Sequence, residues 1–178
     1  MNWLFRVAKP ASFARNYAKT LSQTALFWGF FLGLLPAVVS AIENAVGLPQ
    51  FEPRRALAGV VFVAFGSLGL TSGFFMARAG EGTPLPLDAP RRLVVVGPYR
   101  HIRNPMAVAG LIQGLATGVW FGSPAVMAYV VVGGVFWDRV IRVLEEDDLE
   151  ARFGAEFTAY RDAVPCWRFR WSAYPRQV

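Results

Sequence analysis

The sequence predicts an all-α integral membrane protein: four transmembrane helices, a cytoplasmic loop between the second and third, and an amphipathic C-terminal helix. Three observations carry that prediction. Of 178 residues, 54 % are hydrophobic and only 17 % charged, which leaves too little polar surface for a soluble domain of this length. Leu21–Ile42 and Ala56–Ala77 each run for 22 residues without a charge. A bilayer core takes about 20 residues of helix at about 1.5 Å apiece. The 18 basic residues, finally, are spread unevenly about those runs.

From the N-terminus, residues 1–20 read as an interfacial segment. In MNWLFRVAKPASFARNYAK, the residues Trp3, Leu4, Phe5, Phe13 and Tyr17 alternate with bases, a pattern that lies along lipid headgroups. The apolar run behind it is too long for a cleaved signal, and no small-residue cleavage site follows promptly. The first two spans are 21–42 and 56–77, and their glycines suit close packing between membrane helices. Two shorter apolar runs, 106–121 and 125–144, form a hairpin through the tight turn FGSP. Asp138, Arg139 and Arg142 enter the last of them near its end, where desolvation demands partners. Asp138–Arg142 and Arg142–Glu146 have the i,i+4 spacing to pair. A pocket with charges of both signs equally suits a zwitterionic cofactor.

Orientation follows from the bases. Four precede the first span, five lie in Arg78–Arg103, seven follow from Arg139 onward, and only Arg54 and Arg55 fall on the other side. The positive-inside bias puts both termini and the 81–105 loop in the cytoplasm. The net charge of +6 reflects the same asymmetry, with anionic lipid headgroups as counter-charge. Because the arginines track topology and form no continuous stripe, nucleic acid is not expected as a partner. The chain, 1–178, reads as one membrane domain, and nothing in it specifies an oligomeric state.

Two cytoplasmic segments are large enough to hold chemistry. Glu81–Pro105 carries five prolines after Gly82, which forbid a continuous helix. A loop of this length is usually functional or disordered, and its valine content and short spacing argue against disorder. Residues 145–178 supply a helix and a tail. Leu149, Phe153, Phe157, Tyr160 and Val164 recur at helical spacing on one face, Asp148, Arg152, Glu156 and Arg161 on the other, and Pro165 ends the helix. This helix continues from the fourth span or leaves it at a bend. Asp147, Asp148 and Glu150 read as solvating charges.

Soluble cofactor motifs are missing: no GxGxxG follows a strand and no GxxxxGK[ST] occurs. His101 is the single histidine and Cys166 the single cysteine, so neither a histidine-rich metal site nor an internal disulfide is expected, and no metal site is predicted. Ser123 and His101 fall on opposite sides of the membrane, which removes a simple Ser–His–acid triad. What remains is the Arg91–Asn104 loop, Asp138–Arg142 and the Glu145–Glu146 pair, all at the cytoplasmic ends of the third and fourth spans.

LVVVGPYRHIRNPMAVAG, then a hairpin, then EEDDLEARFGAEFTAYRDAVP, resembles the membrane methyltransferases related to isoprenylcysteine carboxyl methyltransferase and phospholipid methyltransferase. The likeness covers Leu93–Pro165. It implies S-adenosylmethionine as methyl donor, a small lipophilic or lipid acceptor, and a cofactor site formed by the cytoplasmic loop and C-terminal helix. Carried over by position, Leu93, Val94 and Tyr99 line the cofactor pocket, and Asn104, Pro105 and Met106 form a second wall. Glu145 reaches the cofactor from the fourth span, while Arg103 and Glu146 match the motif. No catalytic acid or base is implied, because in-line transfer from a sulfonium needs alignment and desolvation.

The chain departs from the family pattern at several positions. Asn104 stands where the eukaryotic pattern has histidine, Ala107 replaces an aromatic and Phe157 a tyrosine. The acceptor-binding arginine of the carboxyl methyltransferases falls at Ile141, so Arg139 or Arg142 takes that role or the substrate differs. Two other readings stay open. Membrane sterol reductases share a related helical arrangement and use NADPH. A non-enzymatic four-helix protein such as a small transporter usually shows ionisable residues near the bilayer midplane, which the first three spans lack. Whether oxygen, nitrogen or sulfur is methylated is not fixed by the residues.

Overall fold

The computed structural model describes residues 6–84 and 88–175, so Trp3, Leu4 and Phe5 of the expected interfacial segment lie outside the described residues. Those residues hold five α-helices and no strand: α1 Phe13–Ala45, α2 Arg55–Ala79, α3 Pro105–Phe121, α4 Pro124–Phe153 and α5 Ala155–Ala163. A short 3-10 turn, Gly97–Arg100, lies in the long loop before α3. Helices α1, α2 and α4 are long and apolar enough to cross a membrane; α3 is apolar and 17 residues long.

Helix α1 begins eight residues before the first expected span, so residues 13–20 are continuous with that helix. Two local features account for the extension. Ser12 caps the helix by accepting from the Arg15 N–H at 3.4 Å. Phe13 and Tyr17 stack on each other, and both rings meet Phe74 of α2 edge-on at 5.5 and 5.7 Å. Ahead of the helix, a single parallel bridge joins Val7 to Ala89, with Ala8 N–H donating to the Ala89 carbonyl at 2.9 Å.

Helices α2 and α3 make the most extensive contact in the molecule. Small residues permit it: a Cβ on Gly69 would lie 3.5 Å from the Ala109 Cβ, and Ala58 is almost fully covered. The α3–α4 hairpin turns at Gly122, whose φ of +68° suits glycine, and a Cβ there would collide with the Phe51 carbonyl. Ser123 and Pro124 start α4, the Ser123 hydroxyl accepting from the Val126 N–H at 3.0 Å. Beneath this turn the buried Glu43 accepts from the Ala125 N–H at 2.9 Å, so a carboxylate at the end of α1 caps α4.

Helix α4 runs nine residues beyond the expected limit of the fourth span and stops at Phe153. The bend falls at Gly154, with φ +52° and ψ −126°, a conformation that an L side chain seldom adopts. Two helices therefore share the apolar face read as one. Phe157, Tyr160 and Val164 form a buried cluster with Leu149 and Phe153 packed against it. Both α1 and α4 contain a π-helical stretch, Trp28–Leu34 and Trp137–Ile141. Such wide turns frequently accompany functional sites.

Candidate functional site

The loop before α3 is built as a rigid clamp. Val96 is extended, Gly97 opens the 3-10 turn with φ +58°, and Pro98 follows it, which leaves Tyr99 buried. A Cβ on Gly97 would strike the Phe75 ring, so the loop touches α2 at its backbone. The C-terminal tail then ties the loop from the other side. Arg100 Nε donates to the Tyr174 carbonyl at 2.6 Å, and His101 Nδ1 lies 2.9 Å from the Arg170 carbonyl. The His101 ring stacks on Phe169, with centroids 5.0 Å apart and planes 4° from parallel. The Arg103 N–H donates to the Pro165 carbonyl at 3.0 Å.

Arg103 is the hub of this clamp. Its Nη1 donates to the carbonyls of Arg161 at 2.7 Å and Val164 at 3.2 Å, and its Nη2 pairs with Glu146 at 2.9 Å. Glu146 also accepts from Arg142 at 3.2 Å, and Arg142 donates to Asp138 at 2.8 Å. Trp167 of the tail closes the chain, its indole N–H donating to Asp138 at 2.8 Å. The charges near the end of α4 therefore satisfy one another, as their i,i+4 spacing suggested.

Beside the clamp lies a cavity of about 450 Å³. Leu93, Val94 and Tyr99 line it from the loop, Arg103, Asn104 and Met106 from the start of α3, and Glu145 from α4. Pro105 and Glu146, named with them from the family pattern, are off its wall: Pro105 is buried at the first turn of α3, and Glu146 is turned into the ion-pair network. Neither acceptor-orienting candidate reaches the cavity. Arg142 is held by Asp138 and Glu146, and Arg139 lies on a separate, shallow apolar groove between α3 and α4, 80 % exposed. Ile141, the residue at the family's arginine position, does line the cavity.

Asn104 sets the geometry at the mouth. Its Oδ1 caps α3 by accepting from the Ala107 N–H at 3.3 Å, while its Nδ2 donates to Glu145 Oε2 at 3.4 Å. Across the mouth, the buried Tyr160 hydroxyl of α5 donates to the Tyr99 carbonyl at 2.7 Å. Burial, reinforced by the neighbouring Tyr160 and Glu145, pushes the Tyr99 phenol well above its ordinary value. Burial likewise raises Tyr160. Both rings stay neutral at physiological pH and act as walls and hydrogen-bonding groups.

The far part of the cavity was not legible from the loop motif. Gln23, Thr24 and Trp28 of α1 and Gly69 of α2 line it, joined by Gln113 of α3 and Trp137 of α4. Trp28 and Trp137 each open a π-helical stretch, so both wide turns present an indole to this one space. The available signal was polarity within apolar runs: Gln23 and Gln113 are amides in segments read as membrane-spanning.

Bundled apolar helices enclosing a cavity lined by both polar and apolar side chains define a membrane protein with an internal space of ligand size. The family follows from the sequence match: the phospholipid methyltransferase model fits residues 54–156, and the chain belongs to that family of membrane methyltransferases. The match spans α2, the loop, α3 and α4, and ends just beyond Gly154. No curated protein and no solved structure matches the chain.

Proposed function

We propose that this protein transfers a methyl group from S-adenosylmethionine to a small lipophilic or lipid acceptor at the cytoplasmic face of a membrane. All four long apolar helices span it, α3 as the shorter arm of a hairpin, and both termini share the cytoplasmic side with the arginine-rich loop. One observation supports the reading: a single cavity is lined both by Tyr99, Asn104 and Glu145 around the loop and by Trp28 and Gln113 within the apolar helices. A water-soluble donor and a lipid-dissolved acceptor require a shared space of this kind.

The donor set fits the cofactor's polar groups. Glu145 has one amide partner at 3.4 Å and keeps lone pairs for ribose hydroxyls or an ammonium group. Arg103 also lines the cavity, and its guanidinium supplies positive charge beside a bound carboxylate. When bound, S-adenosylmethionine supplies an activated methyl group on a positively charged sulfur. The chain's own part is alignment and exclusion of water: Leu93, Val94 and Met106 desolvate the mouth, and the clamped loop holds its walls still. Ile141 in place of an arginine favours an acceptor without a carboxylate, which sets this chain apart from the prenylcysteine enzymes it resembles.

Calorimetry of the purified full chain against S-adenosylmethionine, in detergent and in lipid, tests the reading. Saturable binding that falls with Glu145→Gln supports it, and absence of saturable binding in both media overturns it.

A further inference from the structure

Gln113 is a fully buried carboxamide in the middle of an apolar helix, and it lines the cavity. Its Nε2 donates to the Phe62 carbonyl of α2 at 3.3 Å, which fixes which end of the amide is the oxygen. That oxygen, Oε1, has no hydrogen-bond partner. Gln23 of α1 lines the same cavity, and its Oε1 is likewise buried and unpartnered. An unmet buried acceptor is expensive in any protein core, and two among the residues lining one cavity call for an explanation.

The surroundings are shaped for the amide. A Cβ on Gly66 would approach Gln113 Nε2 to 3.1 Å and the Trp28 ring to 3.2 Å, so this glycine leaves the room they occupy. Trp28 packs edge-on against Phe62 at 5.8 Å and supplies an aromatic wall. Along α3, Gln113 is nine residues past Asn104, about 13 Å deeper than the mouth. The missing partner is therefore a hydrogen-bond donor that reaches bilayer depth. Two carbonyl oxygens repel an anion, and a charge at that depth is disfavoured.

We propose that Gln113, together with Gln23, reads an uncharged O–H or N–H group on the methyl acceptor, so that the substrate class is a hydroxyl- or amide-bearing lipophile and excludes plain hydrocarbons and anions. This rests on the methyltransferase reading, which assigns the inner part of the cavity to the acceptor.

Two probes of matched chain test it: 1-tetradecanol, which carries an O–H, and 1-methoxytetradecane, which does not. Thermal protection of the purified full chain is followed against probe concentration. The alcohol should protect at roughly tenfold lower concentration than the ether. Gln113→Met, which keeps length and volume, should erase that difference and leave calorimetric binding of S-adenosylmethionine unchanged. Gln23→Met should narrow the difference, and it carries the test if Gln113→Met fails to fold. Equal protection by both probes in the unmodified protein overturns the proposal. So does discrimination that survives every folded variant, or loss of cofactor binding in Gln113→Met. Absence of cofactor binding alongside intact discrimination would sink methyl transfer and leave the polar pocket standing.

Discussion

Asn104 holds Glu145 to the start of α3. One end of its carboxamide caps that helix through the Ala107 N–H, and the other donates to the Glu145 carboxylate at 3.4 Å. A single side chain thus fixes both the origin of α3 and the direction of the acid at the cavity mouth. The two duties separate by substitution. Asn104→Asp keeps a capping oxygen but sets a second carboxylate against Glu145; Asn104→Ala loses both contacts. The alanine variant should lose about 1 kcal/mol of stability. The aspartate variant should melt close to the unmodified protein while binding S-adenosylmethionine at least about tenfold more weakly. Thermal melts paired with calorimetry check this. Asp147→Asn, at an exposed position on α4, is the control and should change neither.

Tyr160→Phe tests the opposite wall. The Tyr160 hydroxyl is buried and donates to the Tyr99 carbonyl, so its removal leaves that carbonyl without this partner, at a cost of about 1–3 kcal/mol. Cofactor affinity should fall as Tyr99 loosens. The pH dependence has a definite sign. Both phenols are raised by burial, so their contribution is fully present below pH 10, the ordinary phenol value, and is lost as pH climbs toward the folded values. Melting temperature should therefore decline above pH 10, less steeply in Tyr160→Phe.

Much of the fold was legible because membrane helices announce themselves by length and polarity. The expected second and third spans lie within one or two residues of α2 and α3. The start of α1 was missed because an aromatic stack on Phe74 carries it back to Phe13; α4 continues past the fourth span, one of the two courses expected, and the bend at Gly154 within the apolar face was missed. The role of the tail was hidden more deeply. Its ties to Arg100, His101 and Arg103 use the carbonyls of Tyr174, Arg170 and Pro165, groups that any residue presents and no motif records. The contribution of α1 to the cavity was equally hidden, because an apolar run does not reveal which face meets protein and which meets lipid.

That tail gives a chemical prediction about Cys166. Burial pushes its thiol from 9.0 up to about 11, which leaves little reactive thiolate at neutral pH. Maleimide labelling at pH 7.5 should be slow in the intact protein. His101→Ala, which removes the stack on Phe169 and the bond to the Arg170 carbonyl, should speed it several-fold by freeing the tail. Labelling timed by intact mass reads this directly, and an unchanged rate would mean the tail is held without that contact.

Glu43 offers a test remote from the cavity mouth. Its carboxylate accepts from the Ala125 N–H at 2.9 Å and from Gln50 at 3.3 Å, joining the end of α1 to the hairpin turn. Glu43→Ala should cost about 1–3 kcal/mol by leaving the Ala125 N–H without its acceptor, and Glu43→Gln, which retains an acceptor oxygen, should cost less. Cofactor affinity should stay the same in both.

Arg103 is where geometry and charge can be told apart. Its guanidinium spans two backbone carbonyls of the α5 end and the Glu146 carboxylate, three acceptors in different directions. Lysine carries the same charge as a single point on a flexible stem and cannot serve all three. Arg103→Lys should therefore fall nearly as far as Arg103→Ala, by about 2–3 kcal/mol, because Glu146 and both carbonyls lose a fixed partner at a site where the paired side chains are only 13 % and 15 % exposed. Glu146→Gln should lose less, since Arg103 keeps its two carbonyls and Arg142 keeps Asp138. A double-mutant cycle across Arg103 and Glu146, read by denaturant unfolding in detergent, isolates the ion pair from the carbonyl contacts. If the cycle's coupling energy equals the whole loss in Arg103→Ala, the charge pair alone holds the clamp; a coupling well below it assigns the remainder to the forked grip on the α5 end.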